Sequence, residues 1–218
     1  MTIDRSAGPS PIHGRTPFDR LDLVWIDPDP ARIAGRLGRL GLEPSPAGTI
    51  ELEGGTVRLE RGPGPSRLSL VDRSGRPDER RAPVDEPRAV APRPVGAGAR
   101  ARLLAVGIAT VDAERYRADR PDLDVADAPD DELLGARAMV TIGSHPGIVI
   151  LEPSTEGRLA ASLARLGEGP AALYFESDVS PAAGRIANGP LGRARLLPGG
   201  HVAGPHLLIV EPGGTITP

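Results

Sequence analysis

The sequence predicts an α+β protein built of βαβββ modules, with residues 101–218 paired into a barrel-like domain and an additional βαβββ-like half at residues 17–72. Three observations predict it. Apolar strand-like runs are each followed by a short stretch with helical spacing and then by alternating hairpin-like runs. The same order of elements recurs three times along 218 residues, as an internal repeat does. The last strand of the second and of the third unit ends in a Glu-Pro pair, Glu152-Pro153 and Glu211-Pro212, as a duplication would leave. Proline suits a strand end because it cannot donate to a ladder.

The first unit opens with "RLDLVWID", a strand by its apolar run. "DPARIAGRLGRLGL" follows as a helix, with Asp29 as N-cap, Pro30 at the first position, and Ile33, Leu37 and Leu40 on one face. Its arginines 32, 36 and 39 are expected to form a solvated face. The glycines of "GRLGRLG" sit inside this helix and follow no strand directly, so a dinucleotide-binding loop is excluded there. In "TIELEGGTVRLERG", Ile50 and Leu52 alternate with Glu51 and Glu53, Gly54-Gly55 turns the chain, and Val57 and Leu59 alternate with Arg58 and Glu60. That pattern is a hairpin with one buried face, and "SRLSLVD" adds a further strand.

Residues 73–100 interrupt the order with prolines at 77, 83, 87, 92 and 94, many charges and scattered valines. This composition buries little apolar surface, and the segment reads as a Pro/Arg-rich linker. Residues 1–16 read as a flexible N-terminal tail.

The second unit begins at "RLLAVGIATVDAERYRAD", a strand and a short helix opened by Asp112, and continues through "ELLGARAMVTIG" and "PGIVILEP". A connecting helix in "STEGRLAASLARLGEG" leads to the third unit. That unit has a strand in "AALYFESD", a weak helix around Ser180 to Ala187, and strands in "GRARLLPGG" and "PHLLIVEP".

Composition narrows the chemistry. The chain has no cysteine, which excludes thiolate nucleophiles, disulfides, iron-sulfur clusters and cysteine zinc sites. All 26 basic residues are arginine, so Schiff-base lysines and a P-loop lysine are excluded too. A net charge of -3 and 2% aromatic residues give no basis for nucleic-acid binding. The amino terminus lacks an apolar core of signal-peptide length, and no apolar run reaches a membrane span. The expectation is a cytoplasmic protein with no nucleic-acid or membrane partner.

The second and third units resemble the two βαβββ halves of a vicinal oxygen chelate domain, the superfamily of glyoxalase I, methylmalonyl-CoA epimerase, extradiol dioxygenases and bleomycin resistance proteins. "AVGIATVDAERY" resembles the first strand and helix of the epimerases. "VILEPSTEGRLAASLARLGEGPAALYFES" resembles their half-to-half connection, including the Gly167-Glu168-Gly169 turn. The likeness spans residues 101–212, and "LDLVWIDPD" extends it more loosely to the first unit.

The resemblance implies a metal site with one ligand from the first strand and one from the last strand of each half. The first-strand positions are Ala105 and Ala172, with Leu23 the equivalent in the first unit, and none can coordinate a metal. The last-strand position is Val149 or Glu152 in one half and Val210 or Glu211 in the other. A one-residue slip reverses the face of a strand, so at most one of each pair points inward. Two glutamates without histidine suit Mg or Ca better than transition ions.

The remaining candidates come from the residues themselves. Alternation puts Tyr174 and Glu176 on one face of their strand, as pocket-lining groups, or Tyr174 as core with its hydroxyl at the rim, and Asp178 follows at the strand end. His201 and His206, in and after the Gly-rich "GGHVAGPH", could reach over a barrel mouth, with His206 against Glu211 or Glu152, or could be exposed turn residues. His145 in "GSHPG" reads as a hairpin-turn residue, and His13 lies in the tail. "IGSHPG" is not a nucleophile elbow, since Ile142 stands two residues before Ser144.

Two functions follow as expectations. One is a glyoxalase-like protein without metal or other cofactor that binds a small organic ligand in a concave sheet, for sequestration or sensing. The other is a lyase, epimerase or dioxygenase-type enzyme with a divalent metal relocated among Glu152, Glu211, His201 and His206. The odd number of half-units leaves one sheet face or edge to cover, either on the other two units or in a homodimer.

Overall fold

Among the described residues the chain forms twelve strands and three helices. A computed structural model describes residues 20–71, 101–154, 156–177, 184–202 and 204–212. The expected tail (1–16) and linker (73–100), together with His13 and Asp178, lie outside the described residues.

The first unit consists of β1 (Leu21–Asp27), α1 (Pro30–Gly38), β2 (Thr49–Leu52), β3 (Gly55–Arg61) and β4 (Arg67–Leu70). Asp29 is the N-cap of α1, but its side chain makes no capping hydrogen bond; its amide instead donates to Asp27 Oδ1 at 2.7 Å. The unit has the expected βαβββ order with its own pairing, β2-β3-β1-β4, in which β1 runs parallel to β3 and antiparallel to β4.

The second unit comprises β5 (Ala101–Ala109), α2 (Ala113–Ala118), β6 (Val125–Asp131), β7 (Ala136–Thr141) and β8 (Gly147–Pro153). Asp112 caps α2 by accepting the Arg115 amide at 2.8 Å. Helix α3 (Arg158–Leu166) leads to β9 (Gly169–Ser177), β10 (Ile186–Gly189), β11 (Gly192–Leu196) and β12 (His206–Val210). The helix expected around Ser180 to Ala187 is corrected at its described end: Ile186 and Ala187 begin β10, paired antiparallel with Arg195 and Ala194.

These strands form one eight-stranded sheet in the order β10-β11-β12-β9-β5-β8-β7-β6. In each half the first strand runs parallel to the last, β5 with β8 and β9 with β12, and β5 joins β9 antiparallel at the centre. The sheet is a nearly closed, barrel-like one, as the resemblance to vicinal oxygen chelate domains implies. Its edges meet where the Glu132 amide donates to the Asn188 carbonyl at 3.2 Å and Asn188 Nδ2 donates to Glu132 Oε1 at 3.2 Å.

The two faces of this sheet have different partners. The outer face, with Leu103, Val106, Ile108, Ile150, Phe175 and Ile209, shares one apolar core with Leu23, Trp25, Ile33, Leu37 and Val57 of the first unit. The odd unit is therefore covered within the chain, the first of the two arrangements expected for it. Burying these large side chains contributes on the order of 1.5–3 kcal/mol each, which is why the small sheet needs the large one. The inner face carries Ala105, Ala109, Val149, Leu151, Ala172, Tyr174, Leu208 and Val210.

Arg36 departs from the solvated face expected for α1. It is buried, and its Nη2 donates to the Leu197 carbonyl at 3.4 Å. Helix α1 lies under the chain between β11 and β12, and a Cβ on Gly200 would meet the Arg36 guanidinium at 2.7 Å. Burial first, then the neighbouring Arg32 and Arg39 charges, lowers its pKa to about 10.

Candidate functional site

The inner face of the sheet holds a cavity of about 600 Å³, and its construction begins with an irregularity in β5. The pairing of β5 with β9 slips between Leu103 and Ala105. As a result Arg102, Leu104 and Ala105 all line the cavity, while Leu103 stays in the outer core. The first unit braces this bulge. The Leu103 amide donates to the Glu53 carbonyl at 3.0 Å, and Gly54, at φ +90, lies so close that a Cβ there would meet Leu103 O at 3.0 Å and Pro146 Cδ at 3.2 Å.

The cavity opens at the end of the sheet where β5 starts and β9 finishes. Arg102 and Glu176 are register partners there and form an ion pair of 2.5 Å. The turn Thr141–His145, the strand β6 at Ala126 to Pro129, and the β10–β11 turn at Gly189 to Gly192 supply the other walls, with Val210 and Glu211 beside them. Thr141 Oγ1 accepts from Ser144 Oγ at 2.7 Å and from the Ile148 amide at 2.9 Å, which fixes the turn that carries the exposed His145. Leu104, Ala105, Val140, Leu191 and Val210 make most of the wall aliphatic.

The opposite end is closed. Tyr174 is fully buried, and its hydroxyl donates to Asp131 Oδ2 at 2.7 Å. Asp131 Oδ1 accepts the amides of Leu133 and Leu134 at 3.0 and 2.9 Å. Burial pushes the Asp131 carboxyl above its ordinary range, and its hydrogen bonds from Tyr174, Leu134 and Leu133 pull the other way. Burial and the Asp131 charge push the Tyr174 phenol well above its own. Gly107 lets this end close: a Cβ there would meet Leu151 Cδ1 at 2.8 Å, Ala172 Cβ at 2.9 Å and the Tyr174 ring at 3.2 Å. Helix α3 covers the same end, its Leu159 amide donating to the Leu134 carbonyl at 3.0 Å.

Of the residues singled out by sequence, Glu176 and Glu211 border the cavity, Glu176 on its inner face with Tyr174 and Glu211 at the edge, next to the inward Val210 and turned toward Arg193. Tyr174 lies beneath it on the same face as Glu176, as alternation requires, but its hydroxyl is not at the rim; it bonds to a buried carboxylate. The other three lie elsewhere. Glu152 accepts the Ala113 amide at 3.0 Å beside α2, on the outer side. His206 is the first residue of β12, buried, with Nε2 at 3.0 Å from Ser162 Oγ. Burial, with the Arg158 and Arg36 charges, lowers its pKa to about 4. His201 lies at 2.9 Å from Arg165 Nη1.

At the positions where the resemblance places metal ligands, Ala105, Val149, Ala172 and Val210 are buried in the inner apolar cluster, and Leu23 lies in the other core. Their side chains bear no donor atom, so these residues do not fit a metal ion. Among the described residues, no three His, Asp or Glu side chains are gathered so as to hold one. The Gly167-Glu168-Gly169 turn has a structural role: the Glu168 carboxylate accepts from Thr110 Oγ1 at 2.7 Å and the Val111 amide at 2.9 Å, which ties α3 and β9 to the end of β5.

Sequence reasoning missed Arg102, Asp127 and His145 as cavity residues and Asp131 as a buried carboxylate. The Arg102 position depends on a bulge, and Asp127 and Asp131 lie on a strand with no apolar alternation, "VADAPDD". The signal available for Asp131 was the Leu133-Leu134 pair after it, since an Asp two and three residues ahead of free amides is a common local acceptor.

No protein-family model and no curated protein matches the chain. Solved structures do. The Streptomyces coelicolor methylmalonyl-CoA epimerase, bound to 2-nitronate-propionyl-CoA, is similar over 51% of this chain and 97% of its own, at 21% identity and a TM-score of 0.37. The methylmalonyl-CoA epimerase from Mycobacterium tuberculosis is similar over 51% of this chain and 87% of its own, at 21% identity and 0.40. A xylose isomerase-like TIM barrel/4-hydroxyphenylpyruvate dioxygenase fusion protein is similar over 90% of this chain and 49% of its own, at 13% identity and 0.46. No helix of the described residues is long and apolar enough to cross a membrane.

Proposed function

We propose that this protein binds a small organic molecule in the inner-face cavity, without a metal ion, for sequestration or sensing. The observation that carries the reading is the cavity of about 600 Å³ on the inner face, walled largely by aliphatic side chains and rimmed by the Arg102–Glu176 ion pair. An apolar concavity with few polar groups is what small-ligand sites have in common. The lining offers orientation through its charged rim but no nucleophile activated by a neighbouring base among the contacts seen there.

The enzyme alternative needs Glu152, Glu211, His201 and His206 around one metal ion, and each has a separate partner. Glu152 takes the α2 amide, Glu211 approaches Arg193 Nε at 3.7 Å, His201 faces Arg165, and His206 faces Ser162.

Equilibrium dialysis against a mixed small-metabolite extract tests the binding reading, with bound compounds read by mass spectrometry. The native protein should retain a compound that Ala126→Trp, which fills the cavity from the exposed edge strand β6, does not. Retention of nothing by the native protein, or of the same compound by both, would contradict it.

A further inference from the structure

Strand alternation sorts the charged residues around the cavity, and the sorting decides what enters it, given the reading of it as a ligand site on which this inference rests. On β6, Val125 belongs to the outer core and Asp127 is the register partner of Met139, another outer-core residue. The Asp127 side chain therefore lies on the outer face, and the alternate residues Ala126 and Ala128 face inward. Glu211 follows the inward Val210 and turns toward Arg193, 3.7 Å away. Of the charged side chains in the lining, Arg102 and Glu176 remain on the inner face. They are register partners on the two central strands and pair at 2.5 Å.

The other polar groups add no unpaired charge to the interior. Thr141 Oγ1 accepts from Ser144 Oγ at 2.7 Å and from the Ile148 amide at 2.9 Å, so both hydroxyls are engaged in holding their turn. His145 stands on the exposed part of that turn, where water and salt screen any charge it takes. The walls are aliphatic, Leu104, Val140, Leu191 and Val210, and Ile142 carries them to the mouth with 56% of its surface exposed. No aromatic ring lines the cavity.

A charged head entering this space sheds water and meets no unpaired opposite charge. A cation has to take Glu176 from Arg102 and leave the guanidinium facing it; an anion has to take Arg102 from Glu176 and leave the carboxylate. An uncharged chain incurs neither cost. We infer that the cavity takes an uncharged aliphatic molecule, and that the Arg102–Glu176 pair determines this specificity by excluding ions of both signs. Each partner cancels the other, so neutralising Glu176 should admit anions and neutralising Arg102 should admit cations. The two side chains are 43% and 32% exposed, so these changes are severalfold and shrink as salt rises.

1-Octanol, n-octylammonium and n-octanoate share one chain and differ in head charge, and isothermal titration calorimetry ranks them. The native protein should bind octanol at least about tenfold more tightly than either ion. The octanoate-to-octylammonium affinity ratio should rise severalfold in Glu176→Gln and fall severalfold in Arg102→Gln, a comparison within each variant that general destabilisation does not move. Either ion bound by the native protein as tightly as octanol, or a ratio moved in neither variant, would overturn the specificity inference, while octanol binding that is lost in Ala126→Trp upholds the cavity. Binding of none of the three probes, or binding that Ala126→Trp does not reduce, would overturn the cavity reading itself.

Discussion

Tyr174 donates its hydroxyl to Asp131 at 2.7 Å inside the barrel-like sheet, joining the centre of β9 to the far end of edge strand β6. Both groups are excluded from water. The bond also pins β6 to the rest of the sheet where its ladder with β7 is irregular between Ala128 and Asp131.

Replacing Tyr174 with Phe removes one donor from a buried carboxylate and should cost about 1–3 kcal/mol, the usual penalty for an unsatisfied buried partner. Asp131→Ala strands the Tyr174 hydroxyl and two amides together and should cost more. Urea unfolding of both variants checks the order; a Tyr174→Phe variant as stable as the native protein would mean that Asp131 is not held by this bond.

His206 makes stability depend on acid. Its pKa is about 4 in the fold against 6.5 in the unfolded chain, so the unfolded chain binds the proton more readily. The stability linked to its neutral form is fully present above pH 6.5 and is lost as pH falls from 6.5 to 4, by up to about 3 kcal/mol. His206→Leu should flatten that part of the stability profile. Tyr174 acts at the other extreme: its raised pKa means that its contribution is present below pH 10 and is lost as pH rises beyond it.

Much of this architecture is legible in the sequence, and the omissions have physical causes. Apolar alternation and the turn glycines mark β2, β3, β5, β7, β8, β9, β11 and β12, because those strands bury at least one face. Strand β6 escapes because "VADAPDD" carries three aspartates and a proline. An edge strand paired on one side tolerates both. The burial of Arg36 is invisible for a different reason. Its spacing with Arg32 and Arg39 predicts a wet face, and it is covered by Leu197 to Gly200, more than 150 residues on, a contact that helical periodicity does not encode.

Arg36 therefore yields a prediction that its exposed-face reading would not. Its Nε is buried without a partner, so replacing the charge with an apolar chain of similar length offsets a desolvation cost. Arg36→Met should lie within about 1 kcal/mol of the native stability, and Arg36→Ala, which leaves a void, should lose about 2–4 kcal/mol. Thermal unfolding separates the two; equal losses would show the guanidinium itself to be required.

The brace between the first unit and the bulge is open to a direct check. Gly54→Val forces a branched side chain into φ +90 and against Leu103 O and Pro146, which should cost about 1–3 kcal/mol. Because this contact also supports Leu104 and Arg102, ligand affinity should fall along with stability. Affinity unchanged in a destabilised Gly54→Val protein would separate the first unit from the cavity.

The central claim is that the inner-face cavity holds a small organic ligand. Methyl-resolved NMR during titration with a compound retained in the dialysis tests it most directly. Saturable shifts at Leu104, Val140, Leu191 and Val210, with Ile33, Leu37 and Val57 of the other core unmoved, are the predicted result. Saturable shifts confined to the outer core, or none on the inner face at any concentration, would contradict it.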